Sequence, residues 1–178
     1  MKRAALFACL ITLTTPAFAQ APSETGGPIT NQAERDAIAQ RVRGGASCAN
    51  CDLFQIDLSY QAIGARDFSG ARIRQADLSI ATADRVNFHR ANASLTNFFG
   101  ARLSHANFSE TNLDHAILVG TYLGYANFAG AVLTGADLSG AELTGAQGLN
   151  QTQLNTACGD ANTVLPEGLT VPVCRNNP

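Results

Sequence analysis

A five-residue period runs without a break through more than half of this chain, and few folds can accommodate it. Counting in fives from Leu53 to Leu143 meets nineteen apolar residues in succession. Two places before each lies a second series, in which eleven of nineteen residues are Ala and three are Thr. Between the two series sits Asp or Asn in eleven repeats, and the last two places of most repeats are Ser, Thr, Gly or charged.

Neither regular structure tolerates this pattern. On an α-helix five residues advance about 500°, so the Leu series would drift around every face. In a continuous strand an odd period sends successive Leu residues to opposite faces. Both series stay inside only if a short extended segment is followed by a turn in every repeat. Such a path closes into a solenoid whose stacked coils pair their backbones at about 4.8 Å. Phe68, Phe88, Phe108 and Phe128 are spaced by twenty, which points to four repeats per coil and a ladder of stacked rings on one wall.

Ala76-Asp77-Leu78, Ala106-Asn107-Phe108, Ala126-Asn127-Phe128 and Ala136-Asp137-Leu138 resemble the A(D/N)LXX consensus of the pentapeptide-repeat family, over residues 51–145. The resemblance implies an all-β, right-handed quadrilateral β-helix, here of about five coils across residues 51–147. Gln61 and Arg66 depart from it, standing where inward Ala is expected. The first coils are therefore expected to bulge or shift register, with the Arg66 head reaching solvent to avoid a buried unpaired charge.

The ends read differently. Residues 1–19 have the form of a secretory signal peptide, with Lys2 and Arg3 ahead of a short apolar run and Ala17-Phe18-Ala19 before the cleavage point. That run is too short to span a bilayer, and Cys9 lies too early in it for a lipidation site. Residues 20–29 form a Pro- and Gly-containing leader, and residues 30–50 an N-terminal helical cap in which Thr30 starts a helix over roughly 31–43, ended by Gly44-Gly45. Residues 148–178 form a C-terminal cap and tail, with Asn150 or Thr152 opening a helical turn. From Gly148 to Cys174 the tail is similar to that of some bacterial pentapeptide-repeat proteins.

Cleavage after Ala19 leaves ten Arg, no Lys and fourteen Asp and Glu, a mildly acidic balance that lacks the basic clusters of nucleic-acid binding. It also leaves Cys48, Cys51, Cys158 and Cys174, an even count that favours disulfides in an exported protein. Cys51 opens the first coil and Cys158 follows the last, so on the order of 20 Å separates them. Disulfide Cα atoms lie within about 7 Å. The pairs are therefore Cys158–Cys174, which ties the tail, and Cys48–Cys51, which closes a tiny loop and can remain reduced.

Cys48-Ala49-Asn50-Cys51 has C-x-x-C spacing, but it follows a helix and lacks the βαβ setting that activates redox thiols, so a structural clasp is expected. His89, His105 and His115 fall on three different faces of a twenty-residue coil and read as surface residues with no metal. There is no phosphate-binding loop, dinucleotide fingerprint or G-x-S-x-G motif, so neither a cofactor nor an enzymatic activity is expected. Two outward patches remain. Ile80, Phe99, Ile117 and Val119 share one face, with Leu95 at the adjoining corner, where polar residues are the rule; contiguous apolar surface marks a contact site. On the next face Arg85, His105 and Tyr125 fall in one column and Arg102 and Tyr122 in another, a composition frequent at binding surfaces. The expected function is a non-enzymatic scaffold or protein-interaction module, periplasmic or released, with an unknown protein or a second copy as partner and no membrane insertion. One alternative, implied by the resemblance, is a DNA-like rod protecting a topoisomerase, which the signal peptide disfavours. Another is thiol–disulfide exchange at Cys48 and Cys51.

Overall fold

The computed structural model describes residues 32–175. The signal peptide, the leader and the proposed helix cap at Thr30 lie outside the described residues.

The chain coils with a period of twenty. From Asp52↔Arg72 to Asn127↔Gln147 every backbone bridge is parallel and joins residues twenty apart. The β character differs from that of an ordinary sheet. Each repeat contributes one bridged residue and then turns, and among the described residues no longer strand forms. In the repeat of Leu78, for example, Leu78 donates to the Asn97 carbonyl at 2.7 Å and Ile80 to that of Phe99 at 2.8 Å. The N–H of Ala81 then closes the turn on the Leu78 carbonyl at 3.1 Å. The fifth residue of each repeat has a left-handed backbone, at 56° in Ile80 and 64° in Gly120, as the third residue of a type II turn requires. A turn every five residues leaves too little extended chain for a continuous strand.

The Asp or Asn between the two inward series has a specific task. Its side-chain oxygen accepts the N–H two residues on, as Asp77 does from Ser79 at 2.9 Å and Asn107 from Ser109 at 3.1 Å. That donor points away from the neighbouring coil, and only a short acceptor can reach back to it. Asn adds a link between coils: Asn87 donates to Asp67 at 2.9 Å and Asn107 to Asn87 at 3.0 Å.

The interior is a filled core. Phe68, Phe88, Phe108 and Phe128 stack with centroids 5.7, 5.4 and 5.3 Å apart in successive coils, and Phe98 meets Phe88 and Phe108 edge-on. The buried hydroxyls of Thr96, Thr111 and Thr121 each donate to a main-chain carbonyl, which makes Thr acceptable in place of Ala.

The first coils correct the sequence-based expectation. The bridges Ala62↔Thr82 and Asp67↔Asn87 keep the twenty-residue step, so Gln61 and Arg66 cause no shift of register. Arg66 is half-buried, and its guanidinium donates to the carbonyls of Val42 and of Ala62, the latter at 2.7 Å, so its charge is not left unpaired.

The ladder also begins one repeat before residue 51. Cys48 donates to the Asp67 carbonyl at 2.7 Å and Asn50 to that of Ser69 at 2.8 Å, with Cys48 buried in the place of an inward Leu. Ahead of it, helix α1 (Gln32–Arg43) sets Ala39 and Val42 into the core, and Arg43 donates to the Asp57 carbonyl at 2.9 Å.

At the other end, helix α2 (Gln151–Leu154) is opened by Asn150, whose side chain accepts the Gln153 N–H while the Gln153 side chain accepts that of Asn150. Gln153 Nε2 donates to the carbonyls of Phe128 and Ala131, both at 2.9 Å, and Leu154 is fully buried. The tail extends the coil imperfectly. Asp137 bridges Cys158 and Glu142 bridges Val164, steps of 21 and 22 residues, before Gly159 pairs with Val173. Disulfides join Cys48 to Cys51 and Cys158 to Cys174, with Cα atoms 5.4 and 4.7 Å apart.

Candidate interaction surface

The wall backed by Leu58, Leu78, Phe98, Leu118 and Leu138 holds most of the first patch. Its outer columns follow from the twenty-residue step: Asp57, Asp77, Asn97, Ile117 and Asp137; Ser59, Ser79, Phe99, Val119 and Ser139; and the corner of Tyr60, Ile80, Gly100, Gly120 and Gly140. Ile117 bridges Asn97, Ile80 donates to the Phe99 carbonyl, and Gly100 donates to that of Val119 at 2.9 Å, so these side chains occupy neighbouring places in three coils. Phe99 is 50% exposed, Ile80 46% and Ile117 43%, while Val119 is half-buried. Leu95, 41% exposed, sits on the adjoining corner beside His115, a turn away from the others.

One residue of this wall escaped sequence reasoning. Tyr60 is 72% exposed and donates its N–H to the Ser79 carbonyl at 3.0 Å, one coil below Ile80 in the same column. Counting back by twenty from Ile80 would have found it. The acidic residues of the wall are tied to their own turns: exposed Asp57 accepts both the hydroxyl and the N–H of Ser59, at 2.7 and 2.9 Å. Those donors, the hydroxyl foremost, hold its carboxyl below the usual carboxylate range.

The second patch is assembled in columns. His105 and Tyr125 stack with centroids 5.2 Å apart and planes 10° from parallel, with Arg85 one coil earlier. Arg102 bridges Tyr122 through the backbone, but its guanidinium goes to Asp84 at 2.7 Å. The exposed ring of Tyr122 stands beside that pair.

Other polar groups have local partners. His89 Nδ1 lies 2.8 Å from the Ser109 hydroxyl, and His115 Nδ1 lies 3.1 Å from Asp114. Asp137, Cys158 and Cys174 come close enough for a metal, but the two sulfurs are bonded to each other and offer no thiolate. Between α1 and the first coil is a cavity of about 270 Å³ lined by Arg35, Ala39, Arg43, Asp52 and Phe54. Arg72 covers Phe54, its guanidinium carbon 4.8 Å from the ring centroid, and pairs with Asp52. Among the described residues no helix is long and apolar enough to cross a membrane.

Parallel coils of four five-residue repeats, with two rows of side chains inside each wall and the rest presented outward, define a repeat solenoid whose chemistry lies on its surface. The chain belongs to the pentapeptide-repeat family: residues 67–98, 96–128 and 118–147 match the family described as pentapeptide repeats (8 copies). No curated protein sequence matches the chain significantly. Among solved structures it is similar to HetL, a pentapeptide repeat protein involved in heterocyst differentiation regulation in the cyanobacterium Nostoc sp. strain PCC 7120. The two are 24% identical with a TM-score of 0.51, covering 67% of this chain and 64% of HetL, a likeness of fold alone. A pentapeptide repeat protein of the Arabidopsis thaliana thylakoid lumen is 29% identical over 66% of this chain and 76% of its own, with a TM-score of 0.34. A trypsin-treated form of QnrB1, a plasmid-mediated fluoroquinolone resistance protein, is 22% identical over 68% and 77%, with a TM-score of 0.32.

Proposed function

We propose that this protein is a non-enzymatic, exported protein-interaction module that binds its partner through the wall of Ile80, Phe99, Ile117 and Val119. Its coils form a right-handed quadrilateral β-helix, covered by the α1 segment at one end and by the disulfide-tied tail at the other. The signal-like residues 1–19 and the paired cysteines support a reading outside the cytoplasm. The observation that carries the reading is the concentration of exposed apolar side chains on one wall, where the repeat ordinarily places polar ones.

Affinity capture from the exported fraction, with the intact protein and with Phe99→Asp, tests it. Proteins retained by the first and lost from the second support the assignment. Equal retention by both, with the Tm unchanged, removes this wall as the binding surface.

A further inference from the structure

The corner column of this wall changes character halfway along. Tyr60 and Ile80 stand up from it, and Gly100, Gly120 and Gly140 follow in the next three coils. Glycine at these turns suits the left-handed backbone, but glycine alone does not leave a hollow. A Cβ placed on Gly135 would strike the His115 ring at 2.8 Å, and one on Gly145 the Tyr125 ring at 2.7 Å. In those columns a side chain from the preceding coil leans across and fills the space. Gly100 is partly covered in the same way, since its Cβ would meet Ile80 Cγ1 at 3.7 Å. Gly120 and Gly140 are bare. A Cβ on Gly120 would have no atom within 4 Å, and one on Gly140 only the Gly120 backbone at 3.9 Å.

The column is thus a ridge two coils long, a centre at Gly100, and a recess two coils long. A two-fold axis lying along the wall at the level of Gly100, perpendicular to the solenoid, reverses the order of coils and keeps each column opposite itself. It places Tyr60 of one copy over Gly140 of the other and Ile80 over Gly120. In the next column it sets Phe99 against Phe99 and Ser79 against Val119. In the third it sets Ile117 against Asp77, whose carboxylate is turned back onto Ser79 and Asn97. Asp57 falls opposite Asp137, a like-charged pair at either end of the contact that weakens it although both carboxylates accept the N–H two residues on. A surface that fits its own image in this way is what an isologous pair requires.

We infer that the partner of this wall is a second copy of the chain, packed antiparallel about an axis at Gly100 with the Tyr60–Ile80 ridge of each copy in the Gly120–Gly140 recess of the other. This rests on the proposed interaction role of the wall and names its occupant. Four coil spacings of about 4.8 Å make the contact only about 20 Å long. Over a wall about three residues wide, roughly 10 Å, that is on the order of 200 Å², well below the roughly 800 Å² per partner typical of stable complexes, so the pair is a weak, reversible one.

Sedimentation of the purified protein up to about 1 mM measures the association directly. The intact protein is expected to form dimers and no larger species, and Gly120→Asn to abolish them by filling the recess. Asn tolerates a left-handed backbone, and an unchanged Tm shows that the fold survives. The register is read by mixing Ser79→Cys with Val119→Cys protein in air with copper phenanthroline. The mixture is expected to give disulfide-linked dimers, while Ser79→Cys alone does not, since its two copies would stand about two coil spacings apart. A monomer at every concentration overturns the inference, as do dimers that persist in Gly120→Asn or fail to cross-link in the mixture. Loss of a captured partner in Phe99→Asp from a protein that stays monomeric would overturn self-pairing alone and leave the interaction role standing.

Discussion

The guanidinium of Arg66 donates to the main-chain carbonyl of Val42, in the last turn of α1, although the two residues lie 24 positions apart. Its other terminal nitrogen donates to the carbonyl of Ala62 at 2.7 Å. The carbonyls of a helix C-terminus carry partial negative charge and lack intrahelical partners, so a cation from the first coils fastens the helix to the solenoid. Arg66→Ala is expected to weaken this attachment by about 1–3 kcal/mol, as for a lost hydrogen bond to a charged group. Amide exchange should accelerate within residues 32–45, while the coils beyond Ile73 keep their protection.

The turns carry strain unevenly. Gln75 has φ near 58°, where a side chain costs roughly 1–2 kcal/mol that glycine avoids, offset by glycine's larger loss of chain entropy. Gln75→Gly should raise stability by up to about 1 kcal/mol. Gly120→Ala should lower it by about 1 kcal/mol although nothing obstructs the new methyl group. Urea denaturation of the three proteins compares them.

Asp67 accepts the N–H of Ser69 and the amide of Asn87, and these donors, the Ser69 N–H first, lower its pKa from the ordinary carboxylate value. A carboxylate with a lowered folded-state pKa contributes its stabilisation in full above the unfolded value of about 4. That contribution is lost as pH falls through the lower folded value. The Tm should therefore decline below about pH 4. Asp67→Asn, which keeps the acceptor oxygen but does not titrate, should decline less over the same range.

Cys158–Cys174 closes a loop with a sequence separation of 16 and secures the Gly159↔Val173 bridge. Replacing both cysteines by Ser should cost about 3 kcal/mol of stability in the tail. Limited proteolysis should then cut within residues 160–175 and spare the coils.

Phe108 is fully buried between the rings of Phe88 and Phe128, 5.4 and 5.3 Å away. Phe108→Ala is expected to destabilise by about 3–5 kcal/mol through lost burial and the cavity left behind. Phe99→Asp, on the outer face of the same wall as Phe98, should change the midpoint little. Thermal denaturation of the two variants separates core from surface.

Much of the fold was legible because the period acts on every repeat alike. Leu78 and Ala76 point inward for the same reason as Leu138 and Ala136, so nineteen repetitions reinforce one backbone path. Irregular places were harder. Cys48 takes an inward position without looking like Leu, and the repeat before residue 51 was assigned to the cap for that reason. Arg66 looked like a defect because one of its two partners, Val42, belongs to a different element. Among outward residues, Arg102 was grouped with Tyr122 through their shared column, but the guanidinium is held by Asp84.

The sequence by itself determined the coil of twenty, the inward rows, the stacked Phe ladder and which cysteines can meet. All of these follow from spacing, because a repeated turn fixes the path of the backbone and the sides of each residue. Only the tertiary structure decided where outward side chains lean. It tied Arg66 to α1 and laid rings over Gly135 and Gly145 while leaving Gly120 and Gly140 bare. Those outcomes depend on neighbours twenty residues away and on the ends of the rod, where the period no longer dictates the contact.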